Sequence, residues 1–351
     1  MKYGREILSD VQGYVPGEQP PKGADVIKLN TNENPYPASP RVIEVLRALP
    51  PDALRKYPDP LSIELRTACA QRYGFPGQEW VIAGNGMDEV LALALRTFVD
   101  PGDAVLTTYP TYTLYETLAR LHGAKPVLVD LDDDFQLADT FFETPARICL
   151  LSRPNSPTGV SAPRAEVERL CETFNGIVVI DEAYVDFADD HCLDFPKRFE
   201  NAIVMRTFSK AFSLAGVRLG IAMARPDVIA EFLKTKDSYN LNAFTQAAGL
   251  AAIQDYDAMR ANAAKIRATR ARLIHELEAL GFRVPASQSN FVFAQWDGAP
   301  PAGVIFAALR DRGILVRYFK ERRLDNGLRI TVGTDKETDA LLSALREILA
   351  S

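Results

Sequence analysis

The sequence has little of what metal-dependent or disulfide-bonded proteins require. Only four cysteines occur among 351 residues, and they stand far apart with no C-x-x-C pair, which is typical of reduced, buried thiols in a cytoplasmic protein. Only three histidines occur, and none has the i, i+4 spacing of a zinc-binding helix. We therefore expect no metal site and no Ser-His-Asp triad.

Long hydrophobic runs and basic clusters are also missing. No stretch approaches the roughly 20 apolar residues of a membrane span, and the first residues lack the apolar core of a signal peptide. The formal net charge is −6, and no run of Lys and Arg provides the positive surface that nucleic acid requires. We expect a cytoplasmic protein with neither a membrane nor a nucleic acid as partner.

Short apolar segments do occur, and from about residue 80 they alternate with segments of helical period. Several are continuous apolar runs, typical of strands covered by helices on both faces. Helices are predicted between them at 88–98, 112–121 and 164–174. This rhythm predicts an α/β domain built on a mostly parallel seven-stranded sheet sandwiched by helices. The predicted strands are 80–83, 104–107, 126–129, 148–151, 177–180, 202–205 and 219–223.

The two ends of the chain differ from this central part. Six prolines within residues 1–40 rule out a long helix there and predict an extended arm that packs on the small domain or on a partner subunit. Residues 41–245 are predicted to form the large domain, and residues 246–351 a smaller α+β domain. Its predicted elements are a long helix at 257–280, strands at 291–294 and 328–331, and helices at 302–311 and 336–349.

A lysine and an aspartate follow two of the predicted buried strands. Asp181 ends the run GIVVID, with Tyr184 three residues later, and Lys210 lies in TFSKAFSLAGVRLG, with Arg218 eight residues further on. Because ligands bind at the carboxyl ends of strands in open α/β sheets, Asp181 and Lys210 can face one ligand. A solvated lysine and a packing arginine are the ordinary alternative for an isolated Ser-Lys pair.

Two other classes of protein fit less well. GNGMDE after a predicted strand is half of a dinucleotide-binding motif, but Glu89 replaces the third glycine and the next strand ends in Tyr109 and Pro110 rather than an acidic residue. A nicotinamide dehydrogenase would also leave Lys210 without a role. A non-catalytic binding protein on the same fold would not need Asp181 and Lys210 together.

Nine segments, taken in order, resemble the fold type I pyridoxal-phosphate aminotransferases, and within them the enzymes that act on L-histidinol phosphate. Ser213 departs from the pattern, since many relatives have glycine after SKAF. The nine segments are LNTNENPYP, RKYPDP, GNGMDEV, YPTYTLY, SRPNSPTG, VIDEAY, TFSKAFSLAGVRLG, DSYNLN and LRITVGT.

The resemblance implies pyridoxal 5'-phosphate as cofactor and gives each candidate a role. Lys210 would form the Schiff base with its aldehyde and shuttle a proton, and Asp181 would pair with the ring nitrogen. Asn155 and Tyr184 match the hydrogen-bond partners of the phenolic oxygen, and Tyr112 matches the aromatic residue that stacks on the ring.

The resemblance also implies a phosphate site completed by a second subunit. The backbone N–H groups of Met87 and Asp88 would bind the phosphate where a helix begins. Tyr57 matches a residue that reaches the cofactor phosphate of the neighbouring subunit, which implies a homodimer. The side chains expected to complete the site are those of Thr207, Ser209 and Arg218.

For the substrates, the resemblance implies transfer of an amino group from L-histidinol phosphate to 2-oxoglutarate, a step of histidine biosynthesis. Arg329 matches the arginine that binds a carboxylate, and Arg317 and Tyr14 match the residues that receive the substrate phosphate. A structural ion pair is an open alternative for Arg317. Asn30 lies in the matching arm segment, as does Asn34, which has no assigned role. An aromatic amino acid aminotransferase and a phospho-amino-acid decarboxylase of the same fold remain alternative functions.

Overall fold

The fold is taken from a computed structural model, which describes residues 3–9, 11, 13 and 17–350. The strands are β1 (Ile27–Lys28), β2 (Val81–Gly84), β3 (Ala104–Tyr109), β4 (Lys125–Asp130), β5 (Ile148–Ser152), β6 (Ile177–Asp181), β7 (Ala202–Thr207), β8 (Gly220–Met223), β9 (Phe291–Gln295), β10 (Ile314–Leu315), β11 (Arg317–Tyr318) and β12 (Gly327–Thr331). The helices are α1 (Pro40–Ala48), α2 (Asp52–Arg55), α3 (Ile63–Arg72), α4 (Met87–Phe98), α5 (Leu114–Leu121), α6 (Asp139–Glu143), α7 (Arg164–Thr173), α8 (Phe195–Arg198), α9 (Pro226–Thr235), α10 (Ala243–Gln254), α11 (Tyr256–Ala279), α12 (Ala302–Asp311) and α13 (Asp335–Ala350).

A seven-stranded sheet forms the centre of the fold, in the order β2-β8-β7-β6-β5-β3-β4. Neighbours from β7 through β6, β5 and β3 to β4 are parallel, whereas β8 is antiparallel to both β2 and β7. All seven predicted strands occur, with ends within two residues of the prediction. The predicted fold class, a mostly parallel sheet sandwiched by helices, is confirmed.

Apolar side chains cover both faces of this sheet. Every residue of β5 and of β7 is buried. One core cluster joins the sheet to α4, α5 and α9, and the larger cluster joins its other face to α3, α7 and α10. Because both faces are buried, the strands have continuous apolar runs rather than alternating ones.

The C-terminal part of the chain forms a second, three-stranded antiparallel sheet in the order β11-β12-β9. The predicted helices at 257–280, 302–311 and 336–349 correspond to α11, α12 and α13. The chain preceding α1 joins this part, since β1 pairs in parallel with β10 and the Leu29 amide donates to the Leu315 carbonyl at 2.7 Å. The predicted domain boundary at 245 falls within α10, which packs against α1 and α3, and the division into domains stays a prediction.

Several helices were not predicted from the sequence. In α10 apolar and small residues are spread around the whole helix, so no amphipathic period marks it. In α1 a proline opens the helix and the Ser39 hydroxyl accepts from the Arg41 amide at 3.1 Å, where the sequence suggested the end of an extended arm. Within the described residues, no helix combines the length and apolar character that crossing a membrane would require.

A buried ion cluster braces the chain where it leaves β6. Arg206, on β7, donates to Glu182 at 2.9 Å and to Asp186 at 3.3 Å, and all three side chains are at most 9% exposed. Burial opposes the charge of the guanidinium, but the two carboxylates outweigh it and raise the pKa of Arg206. These two ion pairs therefore hold the segment from Asp181 to Asp186, which follows β6, against β7.

Replacing Arg206 with leucine should destabilise the protein by about 3–5 kcal/mol, because two buried carboxylates lose their counter-ion. Urea unfolding followed by circular dichroism measures the effect. Arg346→Leu is the matched control, since Arg346 is 53% exposed in its ion pair with Glu276 and should cost less than about 1 kcal/mol. Equal losses in the two variants would contradict a structural role for the buried cluster.

Candidate active site

A cavity of about 220 Å³ lies at the carboxyl ends of the central parallel strands. Ser152, Asp181 and Thr207, the last residues of β5, β6 and β7, all contribute to its wall. The structure brings most of the predicted site residues together here. Those that line the cavity are Met87, Asp88, Tyr112, Asp181, Tyr184, Thr207, Ser209, Lys210, Arg218, Arg317 and Arg329.

Lys210 lies in the turn that follows β7. Its Nζ is 3.3 Å from the carbonyl oxygen of Thr31 and 5.6 Å from the ring centroid of Tyr184. Asn34 holds the backbone here, because its side-chain amide donates to the carbonyls of Lys210 at 3.2 Å and Ala211 at 3.1 Å. Asn34 thus has a structural role that the sequence did not reveal.

Asp181 is buried at the end of β6, and both of its carboxylate oxygens accept hydrogen bonds. Oδ1 accepts from the Ala183 amide at 3.0 Å, and Oδ2 accepts from the hydroxyl of Tyr115. Burial raises the pKa of Asp181 to about 6, while these two hydrogen bonds act to lower it. Tyr115 was not predicted as a site residue, and its only signal in the sequence is its place three residues after Tyr112, at the start of α5.

Tyr184 and Asn155 have different surroundings. The Tyr184 hydroxyl accepts a hydrogen bond of 3.0 Å from the side chain of Asn32, a cavity residue that the sequence analysis did not single out. The Asn155 amide donates to the Pro110 carbonyl and to Thr158 Oγ1, each at 3.0 Å, and its oxygen accepts from Thr111 at 3.2 Å. The side chain of Asn155 is therefore hydrogen-bonded to Pro110, Thr111 and Thr158, and it does not line the cavity.

The start of α4 and the guanidinium of Arg218 form an anion site. Arg218 Nη1 is 3.5 Å from Ser209 Oγ, and Nη2 is 3.2 Å from Asp88 Oδ2. Tyr112 donates to the other Asp88 oxygen at 3.3 Å. A helix N-terminus, a hydroxyl and a forked cation together suit a phosphate group.

Gly86 leaves room for this arrangement. It precedes α4 with φ +85°, and a Cβ there would lie 2.6 Å from Arg218 Nη2. Because that atom is the end of a flexible side chain, a larger residue would displace the guanidinium, and it would also strain the backbone, since a φ of +85° favours glycine.

Two further arginines face the cavity from the small sheet. Arg317 and Arg329 are paired across β11 and β12, and each guanidinium lies within 5.5 Å of the Phe319 ring centroid. Arg329 donates to the Asn30 carbonyl at 2.9 Å. Asn30 is buried and does not line the cavity, so in this structure it contacts Arg329 through its backbone. Side-by-side guanidinium groups favour an anionic ligand.

Like Asn155 and Asn30, Tyr57 does not line the cavity. Tyr57 is 79% exposed and stacks on Tyr239 with ring centroids 4.3 Å apart, so within one chain it does not reach the anion site. Tyr14 lies outside the described residues.

The donor set of the cavity fits pyridoxal phosphate. It offers an amine at Lys210, a buried carboxylate at Asp181, and an anion site at Arg218 whose space depends on a glycine. Among the described residues no cluster of metal-binding side chains occurs.

Comparisons with known proteins agree with this chemistry. Residues 24–345 match the model of the family described as aminotransferase class I and II, and the chain belongs to that family. It is 43% identical over 349 residues to the histidinol-phosphate aminotransferase of Rippkaea orientalis, covering 99% of each chain. It is 44% identical over 347 residues to that of Geotalea daltonii, covering 98% of this chain and 99% of the relative.

A solved structure is similar over nearly the same length. The histidinol-phosphate aminotransferase of Sinorhizobium meliloti, in complex with pyridoxal-5'-phosphate, superposes with a TM-score of 0.86 at 28% identity, covering 93% of this chain and 92% of that one. The predicted family and the predicted cofactor are confirmed. The roles of individual residues stay predictions.

Gly86→Ala should weaken pyridoxal phosphate binding about tenfold or more, because the new methyl group displaces the Arg218 guanidinium from the anion site. Equilibrium dialysis of the apoprotein against the cofactor measures this affinity. Gly102→Ala is the matched control, since Gly102 also has a positive φ, +95°, and a Cβ there would meet nothing within 4 Å. Unchanged cofactor affinity in Gly86→Ala would contradict the assigned place of the phosphate.

Proposed function

We propose that this protein transfers the amino group of L-histidinol phosphate to 2-oxoglutarate, giving imidazole acetol phosphate and L-glutamate, a step of histidine biosynthesis. The observation that carries the proposal is the pair Arg317 and Arg329, which adds two cations to a cavity that already contains the anion site at Arg218. The proposal is supported by full-length relatives that carry this activity in their names.

Pyridoxal phosphate would be held by the residues around the cavity. When bound, it supplies an aldehyde that takes up the amino group and a ring that withdraws electrons from the substrate carbon. Asp181 would hold the ring nitrogen through a charged hydrogen bond, and Tyr112 would pack against the ring. The phosphate would bind the N–H groups of Met87 and Asp88 together with the side chains of Thr207, Ser209 and Arg218.

Lys210 is the proposed base at the reacting carbon. Its Nζ is 3.3 Å from the Thr31 carbonyl, which orients the amine, and its backbone is held by Asn34. A neutral lysine amine can take a proton from the substrate Cα and return it to another atom of the same ligand. Tyr184, held by Asn32, is a proposed partner of the cofactor's phenolic oxygen. Asn155 is the second proposed partner, and its amide would have to exchange a present bond to Pro110 or Thr158 to reach that oxygen.

The arginines would provide substrate choice. Arg329 would bind the carboxylate of glutamate and 2-oxoglutarate bidentately, and Arg317 would add charge for the phosphate of histidinol phosphate, together with Tyr14. Asn30 would contribute indirectly, because its backbone carbonyl accepts a hydrogen bond from Arg329 and so holds that side chain in place. A free aromatic amino acid offers its α-carboxylate to Arg329 but no phosphate to Arg317, which disfavours it relative to histidinol phosphate.

We expect turnover of histidinol phosphate to exceed that of phenylalanine and tyrosine by at least about 100-fold in kcat/KM, because only the first substrate provides a phosphate for the arginines. A coupled assay of glutamate formation measures the three substrates. Arg317→Ala should lower kcat/KM about tenfold or more for histidinol phosphate and far less for phenylalanine. Arg310→Ala is the control, since Arg310 pairs with Glu18 on the surface. A preference for free aromatic amino acids would overturn the assignment.

We further propose a homodimer in which Tyr57 of each subunit reaches the phosphate in the other. Its exposure is the supporting observation: a tyrosine that is 79% exposed and stacked on another exposed ring leaves apolar surface for a second copy to cover. The cytoplasmic location and the division into arm, large domain and small domain remain predictions.

Mixed dimers test the position of Tyr57. Lys210→Ala and Tyr57→Ala subunits should each be impaired alone, but after subunit exchange half of the dimers would contain one intact site. Activity should then rise to about a quarter of the wild-type value, because Tyr57 from one subunit serves Lys210 of the other. No rise above the average of the two parents, in a sample shown to exchange, would place Tyr57 outside the neighbouring site.

A further inference from the structure

The hydroxyl of Tyr115 contacts the buried carboxylate of Asp181 from outside the cavity. The side chain is fully buried in the first turn of α5, and its ring meets that of Tyr112 edge to face, with centroids 5.7 Å apart and an interplanar angle of 83°. Tyr112 lines the cavity, whereas Tyr115 lies behind it and donates to Asp181 Oδ2. The first turn of α5 and the residues just before it therefore provide both Tyr112, which lines the cavity, and Tyr115, which donates to the buried carboxylate.

The negative charges around Asp181 oppose its ionisation, and the hydrogen bond from Tyr115 favours it. Besides burial, Asp88 on α4 and the neighbouring Glu182 raise the pKa of Asp181, while Tyr115 and the Ala183 amide act in the opposite direction. Burial and the Asp181 charge raise the pKa of Tyr115 well above its usual value, so its hydroxyl remains a donor. Tyr115 is thus the one side chain among these neighbours that favours the charged form of Asp181.

We propose that Tyr115 is a positioning residue for the reaction: its buried hydroxyl keeps the Asp181 carboxylate charged and directed at the ring nitrogen, so that the shared proton stays on the cofactor. This inference rests on the proposed function, because Asp181 faces a ring nitrogen only when pyridoxal phosphate occupies the cavity. The hydroxyl donates to the carboxylate itself and does not line the cavity, so its loss raises the proton affinity of Asp181 directly.

A tyrosine that merely fills the core would behave differently. Its substitution would lower the stability of the protein, as the loss of any buried hydrogen bond does. It would not move a proton between the cofactor and Asp181. The position of that proton therefore separates the two roles.

The test uses holoenzyme prepared with pyridoxal phosphate carrying ¹⁵N in the ring. In Tyr115→Phe the ring-nitrogen resonance at neutral pH should move toward that of a neutral pyridine, and the rate of the half-reaction with glutamate should fall about tenfold. Tyr73→Phe is the matched control, because Tyr73 is also buried and its hydroxyl has no hydrogen-bond partner in the described part of the chain. Its resonance should equal that of the wild type.

The outcomes distinguish this inference from the proposed function. A wild-type protein that shows no bound ¹⁵N resonance would overturn the proposed function itself. A wild-type protein that binds the cofactor, with a folded Tyr115→Phe variant of unchanged resonance, would overturn only the role of Tyr115.

A second variant covers the case in which Tyr115→Phe does not fold. Replacing Tyr115 with 4-fluorophenylalanine keeps the ring and an atom at the para position but removes the donor. The resonance should move toward that of a neutral pyridine, and an unchanged resonance would again contradict the proposal.

Discussion

The site depends on the alignment of parallel strands in the central sheet. Ser152 and Asp181 are partners in the register of β5 and β6, and Thr207 ends the next strand. Parallel pairing brings all three carboxyl ends to one edge, where polar side chains can face the same ligand. Both faces of the sheet are packed against helices, so a slip of one residue would move every side chain of a strand to the opposite face and disrupt the packing on both. The core thus fixes the position of Asp181 before any ligand binds.

The central fold could be predicted because its signals are local. β5, β6 and β7 each begin with four apolar residues, and Gly86 marks the turn that opens α4. Lys210 and Asp181 follow such strands directly, so their meeting at one edge followed from the strand order of α/β sheets. Their chemical roles came from resemblance, since spacing alone does not identify a cofactor.

What could not be predicted consists of contacts between distant parts of the chain. Tyr115 contacts Asp181 across 66 residues, and Asn32 contacts Tyr184 across 152. Neither residue differs in its local sequence from an ordinary core tyrosine or a loop asparagine. Helix α10 escaped prediction for a different reason, because a helix that is apolar all round has no period to detect. Asn155, expected at the cavity by resemblance, is instead held by neighbouring loops.

Three asparagines at alternate positions connect parts of the site that are far apart in sequence. The Asn30 carbonyl accepts from Arg329, Asn32 donates to Tyr184, and Asn34 donates to the backbone of Lys210. Only four residue steps separate the first and last of these contacts, and within them the chain bends at Asn30 and Thr31 and enters the left-handed region at Asn32, with φ 57°. The segment therefore works as a spacer of fixed length between the two sheets. Adding or removing one residue there would change this bend and separate the arginines from the lysine, although the other eight of the nine familiar segments would be unchanged in the sequence.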